Sequence, residues 1–264
     1  MQVTRKSFLK ILLGSALTLA SVGMTNTVLA DELDELKDAG VMRIAMTGAY
    51  PPFNFVNEEN QVVGFDPAIG AEIGKRMGIE VKIVTTAWDG IIGGLLANKY
   101  DAIVGSMSIT DERKKIVDFV GPYYRMSRAV FVKQGSSVKS LADIAGNKVG
   151  VTLGETHEQW AREQAGWNIN TYKGLPELLM ELDNGRVDAI VSDDIPVLLA
   201  IKKNGNAITP LDMSSVSGTA DSAGIAIRKG NPKLLAAMQE ALDAMQADGT
   251  YTTIAEKWVG GDIR

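Results

Sequence analysis

The sequence of 264 residues is long enough for one large domain or two small ones. Hydrophobic residues make up 45% of it and charged residues 22%, so its composition favours a packed core. The formal net charge of −5 argues against nucleic-acid binding, which depends on a basic surface. With no cysteine and one histidine, His157, the chain lacks the residues for a disulfide, a thiolate or two-histidine metal site, or a lipid-anchoring cysteine. We therefore expect no metal and no cofactor.

The first 30 residues have the pattern of a secretory signal peptide. Arg5, Lys6 and Lys10 precede an uncharged, weakly apolar stretch that ends in Val-Leu-Ala at 28–30. Glycine and hydroxyl residues interrupt this stretch, which makes it a poor membrane span. We expect cleavage after Ala30, which removes three basic residues and no acidic residue and lowers the formal net charge from −5 to −8. The start also resembles a twin-arginine export signal with Lys6 in place of its second arginine, so the export route stays open.

The mature chain predicts two series of alternating strands and helices. In the first series, strands are predicted at 41–47, 80–85 and 101–105, and helices at 67–77, 88–97 and 111–115. In the second series, strands are predicted at 148–152, 169–172 and 188–192, and helices at 156–164, 176–183 and 195–203. Asp66 is expected to cap the first helix, with Pro67 at its first position. The alternation predicts an α/β fold of parallel sheets with helices on both faces.

The rest of the chain predicts two crossings between lobes and a helical tail. The crossings are expected near 124–128 and 221–224, with a strand at 225–228 that rejoins the first lobe. Helices are predicted at 232–248 and 252–258, and the Met and Leu stripe of the first of these is expected in the core.

An internal echo supports two related lobes. Residues 95–106 read LLANKYDAIVGS and residues 182–193 read LDNGRVDAIVSD. Each segment has a basic residue two positions before Asp-Ala-Ile-Val, at the expected turn from a helix to a strand. Chance is the alternative explanation, but four identical residues in register favour two lobes built on one plan.

The first candidate site follows the first echo strand, because ligands of open α/β sheets bind beyond the carboxyl ends of strands. Ser106, Met107 and Ser108 come there, and the next helix start carries Arg113. Free backbone N–H groups and a guanidinium fork suit a carboxylate. The alternative is a surface Arg113 paired with a local acid such as Asp118.

The second echo strand ends in Asp193 and Asp194. Asp194 is expected to cap the following helix, which leaves Asp193 free to accept hydrogen bonds from an ammonium group in a cleft. Glu155, Thr156 and His157 follow another strand and open a helix, so their turn could also hold a carboxylate. His157 could instead be an exposed helix residue.

Two aromatic residues, Tyr50 and Trp88, follow strands near the same edge of the first lobe. Their rings could sandwich a ligand or hold its ammonium group by cation–π attraction. Core packing is the alternative for each ring.

Several motifs together resemble bacterial periplasmic solute-binding proteins for polar amino acids, which serve ABC importers. They are GAYPPF at 48–53, GFD at 64–66, WDGII at 88–92, YDAIVGSMSITDER at 100–113, DF at 118–119, PYY at 122–124 and DGTY at 248–251. The resemblance implies a periplasmic-binding fold of two Rossmann-like lobes, at 31–125 plus 222–264 and at 126–221. A two-strand hinge would let the lobes close on the ligand, and a monomer is expected.

The resemblance also implies roles in binding a zwitterion. Arg113 would bind the α-carboxylate with help from Ser108 and Thr156, and Asp193 would bind the α-ammonium with help from the Ser106 carbonyl. The side-chain pocket would be lined by Tyr50 and Trp88, with Thr47, Glu155 and His157 as possible specificity residues.

The sequence departs from the family pattern at two positions. Ala68 stands where the family usually has a second acid after Asp66, and Thr47 stands where members that bind basic amino acids often carry an acid. The segments Trp88-Asp89-Gly90 and 156–158 are nevertheless similar to the arginine, ornithine and opine branch.

Two classes of function are compatible with the resemblance. The first is a periplasmic receptor that carries a polar or basic L-amino acid to an importer permease, without catalysis. The second is a dehydratase for a prephenate- or arogenate-like substrate, for which Pro196 stands where an acid is expected and Glu155 is a conceivable substitute. The receptor is the preferred interpretation.

Overall fold

The first half of the mature chain forms a sheet with helices against it. The computed structural model describes residues 31–205 and 207–264, so the predicted signal peptide lies outside the described residues. The elements in chain order are α1 (Glu32–Ala39), β1 (Val41–Met46), β2 (Ala49–Tyr50), β3 (Asn54–Val56), β4 (Val62–Val63), α2 (Phe65–Met77), β5 (Glu80–Thr85), α3 (Ile91–Leu96), β6 (Ala102–Ser108) and α4 (Asp111–Lys114).

The second half begins with a 17-residue strand and ends with two helices. Its elements are β7 (Val117–Lys133), β8 (Lys148–Thr152), α5 (Thr156–Arg162), β9 (Asn168–Tyr172), α6 (Leu175–Asp183), β10 (Ala189–Asp193), α7 (Asp194–Asn204), β11 (Ile208–Pro210), β12 (Ala220–Arg228), α8 (Pro232–Ala247) and α9 (Thr250–Val259).

The strands lie in the order β5-β1-β6-β12-β7-β10-β8-β9, with β11 also paired to β7. In the first lobe β1 is parallel to β5 and β6, and in the second lobe β8 is parallel to β9 and β10. The parallel pairing expected within the two series is confirmed, and β7 and β12, which run antiparallel to their neighbours, join the two parallel sets. These two strands carry the chain from one lobe to the other and back, and they form the hinge of an α/β two-lobe fold.

The change of lobe is visible along β7. The strand pairs with β12 as far as Ser127 and with β10 from Arg128 onward. One continuous strand therefore belongs to both halves of the sheet, within the first crossing expected from the sequence.

The two echo segments occupy equivalent places in the two lobes. Asp101 accepts a hydrogen bond from the backbone N–H of Arg43 at 2.7 Å, at the start of the parallel strand beside it. Asp188 accepts one from the backbone N–H of Lys148 at 2.8 Å, at the start of its own parallel neighbour. The aspartate shared by the two echo segments therefore accepts a backbone hydrogen bond from the beginning of the adjacent parallel strand in both lobes.

Two local expectations need correction. The predicted helix at 88–97 starts as a 3₁₀ turn, Trp88–Gly90, before α3. Helix α2 begins at Phe65 with Gly64 as its N-cap, so Asp66 lies inside the helix and does not cap it. Helix α1 and the β2–β3–β4 sheet were not predicted, because each segment is too short to show a clear apolar period.

Helix α8 places its apolar stripe in the core, as predicted. Leu234, Met238, Leu242 and Met245 are fully buried, and Leu235 is partly buried against them. The stripe packs where α8 meets α2 and the hinge strand β7, which anchors the hinge to the first lobe.

Candidate functional site

A cavity lies between the lobes, beyond the carboxyl ends of β1, β6, β8 and β10. We call it the inner cavity. Its lining comes from both lobes and comprises Thr47, Ala49, Tyr50, Trp88, Gly105, Ser106, Ser108, Arg113, Thr152, Glu155, Thr156, His157, Lys173, Gly174 and Asp193. With the lobes as they stand, only about 20 Å³ is open to the centre of a water-sized sphere, which is room for about one water molecule. A larger ligand therefore requires the lobes to move apart before they close on it.

The structure brings ten of the eleven predicted site residues to this cavity. Met107 is the exception, because its side chain is fully buried in an apolar cluster with Trp88 and Ile91. Successive side chains of a strand point to opposite faces, so Ser106 and Ser108 face the cleft and Met107 faces the core. The assignment of Met107 to the ligand site is therefore corrected.

Arg113 presents a half-buried guanidinium group to the inner cavity. The side chain of Thr110 accepts a hydrogen bond from the backbone N–H of Arg113 and caps the short helix α4. The guanidinium donates to the Ser108 carbonyl at 2.9 Å and lies 5.7 Å from the centre of the Trp88 ring. Desolvation lowers the pKa of Arg113, while the charges of Glu155 and Asp221 raise it.

No carboxylate forms an ion pair with Arg113 within 31–205 and 207–264; the surface pair with Asp118 does not form, since Asp118 instead binds Lys229. A charge that is partly removed from water and contacts only a carbonyl and an aromatic ring is stabilised further when an opposite charge meets it. A carboxylate ligand at this position would supply that charge.

Asp193 holds the opposite charge on the second lobe. Its Oδ2 accepts a hydrogen bond from the Tyr50 hydroxyl, a contact that spans the cleft. Its Oδ1 lies 3.1 Å from Nε2 of His157, an ion-pair distance, although these atoms are not aligned as a hydrogen bond. Asp194, expected as the cap, is the first residue of α7 and accepts a hydrogen bond from the backbone N–H of Ser127 at 3.1 Å. Asp193 faces the cleft, although it also occupies the N-cap position.

His157 and Glu155 complete the charged groups of the second lobe. His157 is buried, so the alternative of an exposed helix residue is wrong. Its Nδ1 accepts a hydrogen bond from Nε of Arg128 at 3.4 Å. Burial lowers the pKa of His157, but the carboxylates of Asp193 and Glu155 together outweigh burial and raise it. Burial raises the pKa of Glu155 to about 7, against the opposing charges of His157 and Arg113.

A buried hydrogen-bond network under the cavity positions two of its lining residues. Asp66 accepts hydrogen bonds from the Tyr123 hydroxyl at 2.6 Å, the Asn54 amide at 2.7 Å and the Ser106 hydroxyl at 2.8 Å. Asn54 in turn accepts a hydrogen bond from the Thr47 hydroxyl at 2.9 Å. Ser106 has a φ of 62°, a left-handed conformation that non-glycine residues rarely adopt. The network therefore holds Ser106 in a strained but fixed position beside the ligand space.

Two glycines of the second lobe touch the backbone of the first. A Cβ atom at Gly174 would lie 2.9 Å from the carbonyl oxygen of Ala49, and one at Gly154 would lie 3.0 Å from Cα of Asp89. These lobe surfaces therefore meet at distances that leave no room for a side chain.

Neither a metal-binding cluster nor a membrane-spanning helix is found in the part of the chain that the structure describes. It contains no group of three or more His, Cys, Asp or Glu side chains placed to hold a metal ion. It also contains no helix that is both long and apolar enough to span a membrane.

The model of one protein family, bacterial extracellular solute-binding proteins family 3, matches residues 42–261. The chain belongs to this family.

The relatives and the solved structures that this solute-binding protein resembles carry names that refer to amino acids. It is 35% identical over 249 residues to the L-cystine-binding protein TcyJ of Escherichia coli, covering 91% of each chain. It is 35% identical to the L-arginine-binding protein of Pseudomonas aeruginosa, covering 84% of this chain and 89% of the other. The structure of the ancestral amino acid-binding protein AncCDT-1, a precursor of cyclohexadienyl dehydratase, matches with a TM-score of 0.79 and 36% identity, over 87% of this chain and 100% of that one.

The inner cavity of this solute-binding protein is also lined by residues that sequence reasoning missed. They are Ala49, Thr152, Lys173 and Gly174, whereas Gly105 lies in the run of residues 105–108 that the first echo predicts for the site. Thr152 ends β8 and could have been found by the strand-end rule that found Asp193. Lys173 and Gly174 follow β9, the outermost strand of its lobe, and no motif in the sequence marks them.

Proposed function

We propose that this solute-binding protein captures a free polar or basic L-amino acid between its lobes and delivers it to the permease of an ABC importer. One observation carries the proposal: Arg113 of the first lobe and Asp193 of the second line the same cavity. A zwitterion offers a carboxylate to the first and an ammonium group to the second. The names of the cystine- and arginine-binding relatives support an amino acid as the ligand.

The remaining lining residues support the same orientation. Ser108 and Thr156 lie in the cavity with Arg113 and would add hydrogen bonds to the carboxylate. Tyr50 and Trp88 present aromatic rings to the ligand space from the first lobe, and Glu155 adds an acid from the second. A ligand gripped by both lobes binds the closed state better than the open state and therefore shifts the population toward closure.

The export and domain assignments belong to this proposal. The segment 1–30 acts as a signal peptide, so the mature receptor begins at Asp31 and works in the periplasm. The first lobe comprises 31–125 and 222–264, and the second comprises 126–221. Mass spectrometry of the exported protein tests the N-terminus, and gel filtration tests the expected monomer.

The ligand is found by a thermal-shift screen of the amino acids, because a ligand that binds only the folded state stabilises it by about 2.7 kcal/mol at a hundred times its Kd. Isothermal titration then compares the wild type with Arg113→Ala and Asp193→Ala. Truncating one partner of a buried charge pair costs about 2–5 kcal/mol, so each variant should lose about 30-fold to several thousand-fold in affinity.

Lys114→Ala is the matched control, because Lys114 adjoins Arg113 but is exposed and pairs with Asp111. The amide of the best ligand should bind much more weakly than the free acid. Unchanged binding by Arg113→Ala, or equal binding of the amide, would contradict the proposed carboxylate site.

A dehydratase is the second candidate, and one observation favours it. Burial raises the pKa of Glu155 in the cavity to about 7, and an acid with such a pKa can act as a proton donor near neutral pH. Against a dehydratase, Pro196 occupies the helix position where an acid is expected in that class of enzyme. Incubation with prephenate decides between the candidates: we expect no phenylpyruvate above the uncatalysed background, and turnover abolished by Glu155→Gln would establish the enzyme instead.

A further inference from the structure

The single histidine of the sequence, His157, lies between two charged side chains of the second lobe. Its Nδ1 accepts a hydrogen bond from Nε of Arg128 at 3.4 Å, and its Nε2 lies 3.1 Å from Oδ1 of Asp193. The three residues come from β7, α5 and β10, and both β7 and α5 pack against β10. This row of contacts therefore belongs to one lobe and does not require closure.

Arg128 reaches His157 from the point where the hinge strand changes lobe. It lies opposite Asp193 in the pairing of β7 with β10, and its guanidinium is 5.2 Å from the centre of the Trp160 ring. The carboxylates whose charges act on it are those of Asp221, Asp193 and Glu163. In the described part of the chain none of them forms an ion pair with it, so the guanidinium is directed to an aromatic ring and an imidazole rather than to an acid.

The hydrogen bond from Arg128 decides which nitrogen of the neutral His157 ring carries the proton. A ring nitrogen that accepts a hydrogen bond has no proton of its own, so the proton lies on Nε2. This N–H faces Oδ1 of Asp193, a buried oxygen that receives no aligned hydrogen bond from the described residues. The opposite tautomer would set two N–H donors against each other at Arg128 and a lone pair against the carboxylate of Asp193.

The groups around His157 act on its second proton in opposite directions. Burial lowers its pKa, the carboxylates of Asp193 and Glu155 raise it, and the charge of Arg128 lowers it. From the first lobe, the neutral Tyr50 hydroxyl reaches Asp193. A protonated His157 would form an ion pair with Asp193 and repel the ammonium group of a ligand. The hydrogen bond from Arg128 occupies the Nδ1 lone pair that this second proton needs.

We infer that Arg128 is a positioning residue for the ammonium site: it opposes protonation of His157 and holds the neutral ring with Nε2–H toward Asp193, so that the charge of Asp193 is left for the ligand. This inference rests on the proposed amino-acid receptor and adds to it a residue outside the lining of the inner cavity.

Three variants of Arg128 differ in what they present to Nδ1 of His157. Arg128→Lys keeps a cation that can only donate a hydrogen bond, Arg128→Met keeps the bulk of the side chain without a polar hydrogen, and Arg128→Gln offers a carbonyl that accepts one. Arg125→Met is the matched control, because Arg125 is an exposed arginine of the same strand that does not line the inner cavity.

Nuclear magnetic resonance reads the protons of His157 directly, because the chain has one histidine. The mature protein is labelled with ¹⁵N-histidine, purified without a histidine tag and titrated with acid and base; an unprotonated ring nitrogen resonates far downfield of a protonated one. In the neutral ring of the wild type the downfield signal should belong to Nδ1. The midpoint of the titration should stay in place in Arg128→Lys and Arg125→Met, rise in Arg128→Met and rise further in Arg128→Gln.

Isothermal titration with the best amino acid of the thermal-shift screen links this proton to binding. Midway between the midpoints of the wild type and Arg128→Met, the variant should bind about 2- to 12-fold more weakly, which is the usual contribution of one hydrogen bond. Above both midpoints its affinity should return to that of the wild type measured at the same pH. A variant that had merely lost packing would stay weak at every pH.

The outcomes distinguish the role of Arg128 from the proposed function. An unchanged midpoint in Arg128→Met, a rise in Arg128→Lys as large as in Arg128→Met, or a loss of affinity that persists above both midpoints would overturn the positioning role. If Arg128→Met does not fold, the comparison of Arg128→Lys with Arg128→Gln decides the same point. If no amino acid binds, the receptor proposal fails, and the magnetic resonance titration, which needs no ligand, still tests the control of His157 by Arg128.

Discussion

Closure of the lobes should be blocked by a single methyl group at Gly174. This glycine precedes α6 in the second lobe and has a φ of 178°, an extended conformation that alanine also adopts. Gly174→Ala therefore leaves the backbone of its own lobe unstrained. The added Cβ would lie 2.9 Å from the carbonyl oxygen of Ala49 and 3.1 Å from its Cβ. Both contacts are made only when the lobes are together.

The size of the effect follows from these distances. Non-bonded carbon contacts are favourable at about 3.5–4.0 Å, so the lobes must separate by about 0.5 Å or more at this point. Inserting a methyl group into a well-packed contact costs about 1–3 kcal/mol. The cost falls on the closed state, to which the ligand binds, so affinity should fall about 5- to 150-fold.

Isothermal titration with the best ligand of the thermal-shift screen measures this loss. Gly93→Ala is the control, because Gly93 lies in α3 and a Cβ there meets no atom within 4 Å. Small-angle scattering should show less compaction on ligand addition for Gly174→Ala than for the wild type or the control. Gly174→Ala binding and compacting like the wild type would refute this account of the closed state.

Three further predictions concern groups around the site. Tyr50→Phe removes the hydroxyl bond to Asp193 across the cleft, so the unliganded variant should scatter as a more open particle, whereas an unchanged radius would contradict this role. Burial raises the pKa of Glu155 in the folded state from 4.5 to about 7. Between these two pH values the native state keeps a proton that the unfolded state loses, so the free energy of unfolding falls as the pH rises from about 4.5 to about 7. The melting temperature of Glu155→Gln should fall less between pH 5 and 8 than that of the wild type; parallel curves would contradict this. Asp66→Ala leaves three buried donors unpaired and should lower the free energy of unfolding by about 3 kcal/mol or more in urea denaturation, against almost no change for the exposed Asp111→Ala.

Strand ends were the reliable guide to the site. Ser106 and Asp193 lie at the ends of the two echo strands, β6 and β10, which belong to different lobes and run in opposite directions. Both residues reach the inner cavity because the carboxyl edges of the parallel strands in the two lobes face each other across the cleft. The same rule wrongly assigned the Met107 side chain to the site, because it was applied to three consecutive residues without regard to the two-residue period of side chains along a strand. Applying that period to Ser106 and Ser108 would have assigned Met107 to the opposite face.

The parts that sequence reasoning missed depend on contacts between distant segments. The antiparallel direction of β7 and β12 follows from pairing over about a hundred residues of sequence separation, for which a local period gives no signal. Asp66 has the pattern of a helix cap, since it precedes a proline at a helix start. Its burial under the cavity is decided by Asn54 and Tyr123, which approach from other elements.

The distribution of charge in the inner cavity explains why a bound amino acid favours the closed lobes. When the lobes close without a ligand, half-buried Arg113 has no carboxylate bonded to it in the described residues, and Asp193 contacts the neutral Tyr50 hydroxyl and lies at ion-pair distance from His157. Neutral or distant partners compensate a charge less well than an opposite charge in contact. An amino acid would bring a carboxylate to Arg113 and an ammonium group to Asp193 at once, so the closed state gains more from the ligand than the open state does. Within the protein, the Tyr50 hydroxyl bonds Asp193, and the charge of ionised Glu155 acts on Arg113. Both interactions lower the free energy of the closed state without a ligand. Replacing Tyr50 or Glu155 should therefore shift the unliganded population toward open lobes, which small-angle scattering measures.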